Sequence, residues 1–382
     1  MSLLWRRRRE LHPDQIRAIE GLSVDGRYLL LGPPGSGKTS ILLHRGQYLR
    51  LPPHNMSNVR LVTFTRTLRE FIAVSGDDRF PPGLIQTNKD FVDQIFRAYS
   101  TSPPNLPEDM SLAEKNRQRA ISANQLLASG PPRISFDALL VDEIQDLSGE
   151  EVTLFGSLSP KLMMVGDSRQ KLFDEVHGGI EAARTLGCEE IELKHHFRIS
   201  RDICRVADSI LLPGNYRLEQ FNHYQGPTPS PPSTRSHLSK EQQLSALVEA
   251  LDVQLDTYNE PTDLIGLVTW RKQDCDLIAE HLGETRFAGL TRVFHSDIEG
   301  RRFETGIRIC VITVQSCKGL EFRALHWLFA DEVPHFITRE RAYTVVTRAK
   351  SSLTVYHHGP LQAFLAVALP APPSGLFEDD DE

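Results

Sequence analysis

The chain is poor in the features that cross-link, anchor or charge a protein in a single sense. Its 382 residues include five cysteines, Cys188, Cys204, Cys275, Cys310 and Cys317, with no CxxC pair among them. That scatter argues against a disulfide framework and a cysteine zinc site, and leaves reduced, buried thiols as the expectation. His195 and His196 stand side by side, but nothing near them in the sequence completes a metal-ligand set. Long apolar runs are missing too, so no bilayer span and no membrane role are expected. The opening Met1-Ser2-Leu3-Leu4-Trp5 precedes Arg6–Arg9, the reverse of the charge order in a secretory signal, which points to the cytoplasm. There is no excess of positive charge. With 43 Lys+Arg against 50 Asp+Glu the net charge is −7, so a nucleic-acid site has to be a local basic channel.

What is present fits a soluble α/β protein of two ordinary domains: 40% hydrophobic and 24% charged residues. Short apolar runs at Tyr28–Leu31, Arg60–Phe64, Ala138–Val141, Leu162–Val165 and Ile191–Leu193 read as strands buried on both faces. Helical patterns lie between them at Pro13–Gly21, Lys38–Leu49, Asp90–Tyr99 and Leu112–Leu127. The proline- and glycine-rich stretch Leu212–Ser236 reads as irregular chain. Alternation then resumes with helix Lys240–Asp256, strand Leu264–Val268, helix Lys272–Leu282, strands Ile307–Val314 and Leu325–Phe329, helix Arg339–Lys350 and strand Leu353–Tyr356. The expected domains are 1–195, with a small helical insertion near 100–135, and 196–370. An acidic tail, 371–382, follows and is expected to be disordered. It offers a docking element for a basic partner, and Arg6–Arg9 reads equally as a phosphate-contacting or a solvated arm.

The sharpest local signal is Gly32-Pro33-Pro34-Gly35-Ser36-Gly37-Lys38-Thr39, a GxxxxGK[ST] run set between an expected strand and an expected helix. Its glycines let backbone N–H groups turn inward around phosphates, and the helix N-terminus adds favourable dipole charge. Lys38 then neutralises β/γ-phosphate oxygens and Thr39 offers a hydroxyl to Mg²⁺. The strand Ala138–Val141 ends in Asp142-Glu143, one carboxylate for the metal and one to orient or deprotonate an attacking water. ATP and Mg²⁺ are the cofactors this pattern implies.

Asp142-Glu143-Ile144-Gln145-Asp146 resembles the DExQD box of UvrD/Rep-like superfamily 1 DNA helicases, and further segments follow in that family's order. Leu11–Gln15 resembles the segment whose glutamine reads the adenine edge. Val62-Thr63-Phe64-Thr65-Arg66 resembles a motif touching single-stranded DNA, and Ile85-Gln86-Thr87 the one after it. Val165–Phe173 resembles GDxxQxIY, with Gln170 as the γ-phosphate sensor and Phe173 on the strand. His196-Phe197-Arg198 resembles NYR, implying that Phe197 stacks on adenine and Arg198 meets the γ-phosphate. Ile312–Phe322, with Thr313, Lys318 and Glu321, resembles T-x-H-x-x-K-G-L-E-F, which implies nucleic-acid contact at Thr313 and nucleotide contact at Glu321. Tyr343–Ala349 resembles YVxxTRA, with Arg348 as arginine finger.

The resemblance implies two RecA-like P-loop NTPase domains with parallel sheets and ATP at their interface, an ATP hydrolase driving 3′→5′ movement on single-stranded or tailed duplex DNA. The chain departs from the family at several points. No tryptophan follows Phe173, Gln315 replaces a histidine, and Ser40 stands where an arginine is frequent. Neither large insertion has room: 87 to 142 accommodates only a small helical one, and 198 to 318 is taken by the second domain's own elements. A DNA-gated ATPase switch, or a subunit of a nuclease, defence or repair complex joined through the tail or the insertion-free surfaces, therefore stands beside the helicase reading. RNA remodelling stays open.

Overall fold

A computed structural model describes residues 5, 7–63, 69–70, 79–167, 178–211, 216–260, 263–295, 306–317, 319–334 and 337–369. Phe64, Thr65, Arg66, Gln170, Phe173, Lys318 and the acidic tail lie outside these. The chain divides into two compact units, Met1–Phe197 and Arg198–Glu382. Each is built on a six-stranded sheet with every pairing parallel, the α/β architecture expected of RecA-like domains.

The first unit contains β1 (Arg27–Leu31), β2 (Val59–Thr63), β3 (Ile85–Thr87), β4 (Ala138–Val141), β5 (Leu162–Gly166) and β6 (Glu189–Glu192), in spatial order β3-β2-β4-β5-β1-β6. The inner strands β4 and β5 are buried throughout, as apolar runs covered on both faces must be. Leu29, Leu139, Val141 and Met164 from the sheet meet Phe91, Phe136 and Phe155 in one core. The Phe91 ring lies 5.2 Å from that of Phe136 and 5.3 Å from that of Phe155. Helix Leu112–Ala128, in the segment expected as an insertion, buries Ala113, Ala120, Ala123 and Leu127 and packs beside helix Gly149–Leu158.

The second unit contains β7 (Ser233–Arg235), β8 (Ile265–Thr269), β9 (Thr291–Phe294), β10 (Ile309–Thr313), β11 (Phe322–Trp327) and β12 (Ala349–Tyr356), ordered β7-β12-β11-β8-β10-β9. Helices Lys240–Thr257 and Lys272–Gly283 cover its core through Leu247, Leu251, Ile278 and Leu282. Inside it, His326 is held between Tyr356 Oη (2.9 Å) and Gln254 Oε1 (2.8 Å), and burial pushes its pKa down to about 3.

Several expected elements shift. The helix expected over Arg339–Lys350 stops at Val346, because the chain from Ala349 enters β12 and pairs with Phe322. The irregular stretch Leu212–Ser236 contains the short edge strand β7, and helix Arg201–Leu211 precedes it. All five cysteines are buried and free, and burial raises the thiol pKa of Cys275 to about 11 and of Cys204 to about 12. No described helix is long and apolar enough to cross a membrane.

Candidate nucleotide site

Three neighbouring strands of the first sheet, β4, β5 and β1, bring the chemistry-bearing loops to their carboxyl ends. After β1, Gly32 N–H donates to Gly166 O at 3.0 Å, which ties the start of the phosphate loop to the end of β5. Gly35 and Gly37 then take φ of 73° and 88°. At Gly37 the choice of residue is forced twice, since an added Cβ would also lie 2.4 Å from Gln15 Nε2. Helix Lys38–Arg50 starts directly after this turn. Lys38 Nζ donates to the loop carbonyls of Gly32 (2.9 Å) and Pro33 (3.0 Å), so its charge lies over the loop itself. Ser36 and Ser40 are buried within this framework.

The Thr39 hydroxyl donates to Asp142 Oδ2 at 2.7 Å across 103 residues of chain. The other oxygen, Asp142 Oδ1, accepts Glu143 N–H at 3.0 Å. Asp142 is 2% exposed. Burial and the charge of Glu143 push its pKa up to about 7, against the opposing pull of the Thr39 hydroxyl and Lys38. A hydroxyl and a carboxylate oxygen at this spacing make a hard-oxygen pair suited to Mg²⁺. Glu143 has φ of 56°, a left-handed conformation unusual outside glycine and asparagine. The bend carries its carboxylate to Gln145, whose Nε2 donates to Glu143 Oε2 at 2.5 Å. Gln145 Oε1 accepts Asp167 N–H at 3.1 Å, so one side chain joins the ends of β4 and β5. The approach is close enough that a Cβ on Gly166 would lie 2.5 Å from Gln145 Oε1. In the sequence, Gln145 stands out only as one position of the Asp142–Asp146 box. Its role depends on a contact with Asp167, which no local spacing signals.

On the other flank, Gln15 is 4% exposed and both ends of its amide are engaged. Nε2 donates to Ser36 O at 2.8 Å and Oε1 accepts His12 N–H at 3.0 Å. Phe197 N–H donates to Gly35 O at 3.1 Å, and its ring lies 5.4 Å from that of His12. Gln15 and Phe197 thus both grip the loop backbone, a contact the sequence does not disclose. Thr87 is buried at the end of β3 and caps helix Asn88–Ala98 by accepting Asp90 N–H at 3.2 Å.

In the second unit, Arg198 is ion-paired with Glu321, and Lys350 Nζ lies 3.4 Å from the same carboxylate. Burial works to raise the Glu321 pKa, but the positive charges of Arg198 and Lys350 prevail and hold it well below the carboxylate range. Burial lowers Lys350 to about 8. Arg348, 6% exposed, donates from Nε to Thr344 O at 3.1 Å, and its charge also acts on Glu321. Thr313, at the end of β10, donates its hydroxyl to Ser316 Oγ at 3.1 Å. Arg198, Glu321 and Arg348 therefore share one charged cluster, to which the structure adds Lys350.

A sequence-family profile described as an AAA domain matches residues 15–174, the stretch from Gln15 through the phosphate loop and Asp142-Glu143 to beyond β5. The first unit accordingly carries a P-loop nucleotide-binding core. No curated relative matches the chain. Among solved structures, the C-terminal domain of a possible DNA helicase from Lactobacillus plantarum WCFS1 is similar at 20% identity and a TM-score of 0.33, covering 44% of this chain and 92% of that one. The PRRSV helicase is similar at 14% identity and a TM-score of 0.43, covering 90% of this chain and 54% of that one. The arterivirus nonstructural protein 10 helicase is similar at 16% identity and a TM-score of 0.44, covering 92% and 64%. The chain thus spans 54% and 64% of the length of these two viral helicases.

Proposed function

We propose that this chain is an ATP-hydrolysing DNA helicase or translocase of the UvrD/Rep-like superfamily 1 kind, moving 3′→5′ on single-stranded DNA. The observation that carries the reading is the bond from Thr39 to Asp142, with Glu143 bent beside it and held by Gln145. Thr39 and Asp142 would hold Mg²⁺, which when bound would neutralise charge on the phosphates. Lys38 exchanges its two loop carbonyls for phosphate oxygens, a charge-assisted and therefore stronger pairing. Glu143 takes the proton of the attacking water, and Gln145 fixes its orientation. In this reading Gln15 would read the adenine edge and Phe197 would stack on adenine, while Arg198 and Arg348 would supply the guanidinium charge that the γ-phosphate calls for. Phe64, Thr65, Arg66, Thr87, Phe173 and Thr313 are the proposed strand contacts, with Gln170 as γ-phosphate sensor and Glu321 at the nucleotide.

The second reading, a DNA-gated ATPase working within a larger assembly, draws on one observation. Between Arg198 and Thr313, the described strands and helices all serve one six-stranded sheet and its covering layers. Little chain is left there for a duplex-engaging insertion. Hydrolysis measured with and without single-stranded DNA or RNA, beside a tailed-duplex unwinding assay, separates the readings. DNA-stimulated hydrolysis with unwinding supports the helicase, and stimulation without unwinding supports the switch. Hydrolysis indifferent to nucleic acid refutes both.

A further inference from the structure

No metal-ligand set is spaced around His195 in the sequence, but the fold brings His12 and Asp14, more than 180 positions earlier in the chain, close to it. One ligand atom each from His12, Asp14 and His195 lie within 4.8 Å of one another. His12 Nδ1 is 3.3 Å from Asp14 Oδ2. Two ligands about 2.1 Å from one cation, at tetrahedral or octahedral angles, are themselves roughly 3.0–3.4 Å apart, so this pair already has coordination spacing. The rings of His12 and His195 are centred 4.9 Å apart, within reach of a modest rotation about the side-chain bonds. His12 Nδ1 also accepts Asp14 N–H, at 3.3 Å, a long bond that a cation would readily replace. The Asp14 side chain is 52% exposed, which leaves a path for the ion and room for its remaining waters.

We propose that His12, Asp14 and His195 form a site for a borderline divalent transition metal of the zinc, nickel or cobalt class. Two imidazoles and one carboxylate suit such ions and not Mg²⁺, so this site is chemically distinct from the oxygen pair Thr39 and Asp142. Its position gives it an effect. His12 N–H holds Gln15 Oε1, Gln15 Nε2 holds Ser36 O, and Phe197, two residues beyond His195, holds Gly35 O. A cation joining His12 to His195 clamps together the two segments that grip the phosphate loop, and so tightens nucleotide binding. This last effect rests on the nucleotide reading; the metal site itself does not.

The test uses the full chain without a histidine tag, stripped with EDTA and kept in excess Mg²⁺. Zn²⁺ is titrated by calorimetry and Co²⁺ by visible absorption. One tight equivalent is expected, with ligand-field bands and no thiolate charge-transfer band, since the cysteines are buried. His12→Asn keeps a helix-capping side chain and His195→Phe keeps the ring contact. Each should lose about tenfold or more in metal affinity at an unchanged unfolding temperature. Affinity unchanged in both variants, or wild-type binding no tighter than millimolar, overturns the site. In a second arm Zn²⁺ should tighten ADP binding about fivefold or more in the wild type and not in His195→Phe. Metal binding with no movement of ADP affinity overturns the clamp. Metal binding with no ADP binding at all counts against the nucleotide reading and leaves the site supported.

Discussion

Replacing Gln145 by methionine removes both polar ends of the side chain at nearly constant volume. The lost donor is the 2.5 Å bond to Glu143 Oε2, and the lost acceptor is the one that holds Asp167 N–H at 3.1 Å. A hydrogen bond to a charged group is worth about 1.5–3 kcal/mol, and each ~1.4 kcal/mol is about tenfold in rate, so kcat for ATP hydrolysis should fall roughly 10- to 150-fold. Lys38 and Thr39 are untouched, so KM for ATP should stay within about threefold of the wild type. Removing the Gln145 acceptor of Asp167 N–H should cost ~1–3 kcal/mol of stability, visible as a lower Tm. Gln145→Glu separates the two effects. It can still accept from Asp167 N–H but places a second negative charge against Glu143, and should lose rate by a similar factor. Steady-state hydrolysis at saturating single-stranded DNA, with ATP affinity from a fluorescent analogue, measures all of this. If both variants turn over within about twofold of the wild type, or if KM rises while kcat holds, Gln145 does not position Glu143.

Three further outcomes follow from the same geometry. Gly37→Ala forces an L-residue to φ of 88° and sets its Cβ 2.4 Å from Gln15 Nε2, so nucleotide affinity should drop by at least about tenfold, read by equilibrium binding. Lys38→Ala and Arg348→Ala should each abolish hydrolysis, and Arg348→Ala should keep much of the ATP affinity; normal turnover by the latter removes its assignment as the arginine finger. Glu321→Gln leaves Arg198 and Lys350 without their shared carboxylate and should cost roughly 2–4 kcal/mol at pH 7 by denaturant unfolding. Because the folded pKa of Glu321 is depressed, the wild-type advantage is full above the ordinary glutamate range and shrinks as pH falls below about 4.3 toward the folded value. A gap that widens on acidification would contradict the pairing.

The sequence made some elements plain and hid others, for physical reasons. Ala138–Val141 was legible to the residue because four apolar residues are closed off by the charged pair Asp142-Glu143. The phosphate loop was legible because its backbone geometry demands glycine at fixed intervals. The strands β3 and β9 span three and four residues and draw their identity from neighbours that local periodicity does not see. Helix Gly149–Leu158 did carry a local sign, the reciprocal cap between Ser148 and Glu151. The contacts of Gln145 with Asp167, of Gln15 with Ser36 and of His12 with His195 join residues 22, 21 and 183 positions apart, a closeness that only the assembled sheet creates.

The order of strands in the first sheet also governs when the protein can begin to act. The strand that launches the phosphate loop is the first to be synthesised, yet both its neighbours, β5 and β6, are the last two strands of that sheet. While a ribosome is still translating residues before Glu192, β1 has at most one lateral partner, and before Leu162 it has none. At about 5–20 residues per second the early strand waits on the order of 10–30 seconds for its place in the sheet. During that interval its apolar run Tyr28–Leu31 lacks the lateral partners it has in the folded sheet, which makes it a candidate client for a chaperone. On the proposed nucleotide reading, the first moment at which a nascent chain retains nucleotide would mark completion of the whole first sheet, and nucleotide retention on stalled ribosomes would serve as a clock for folding.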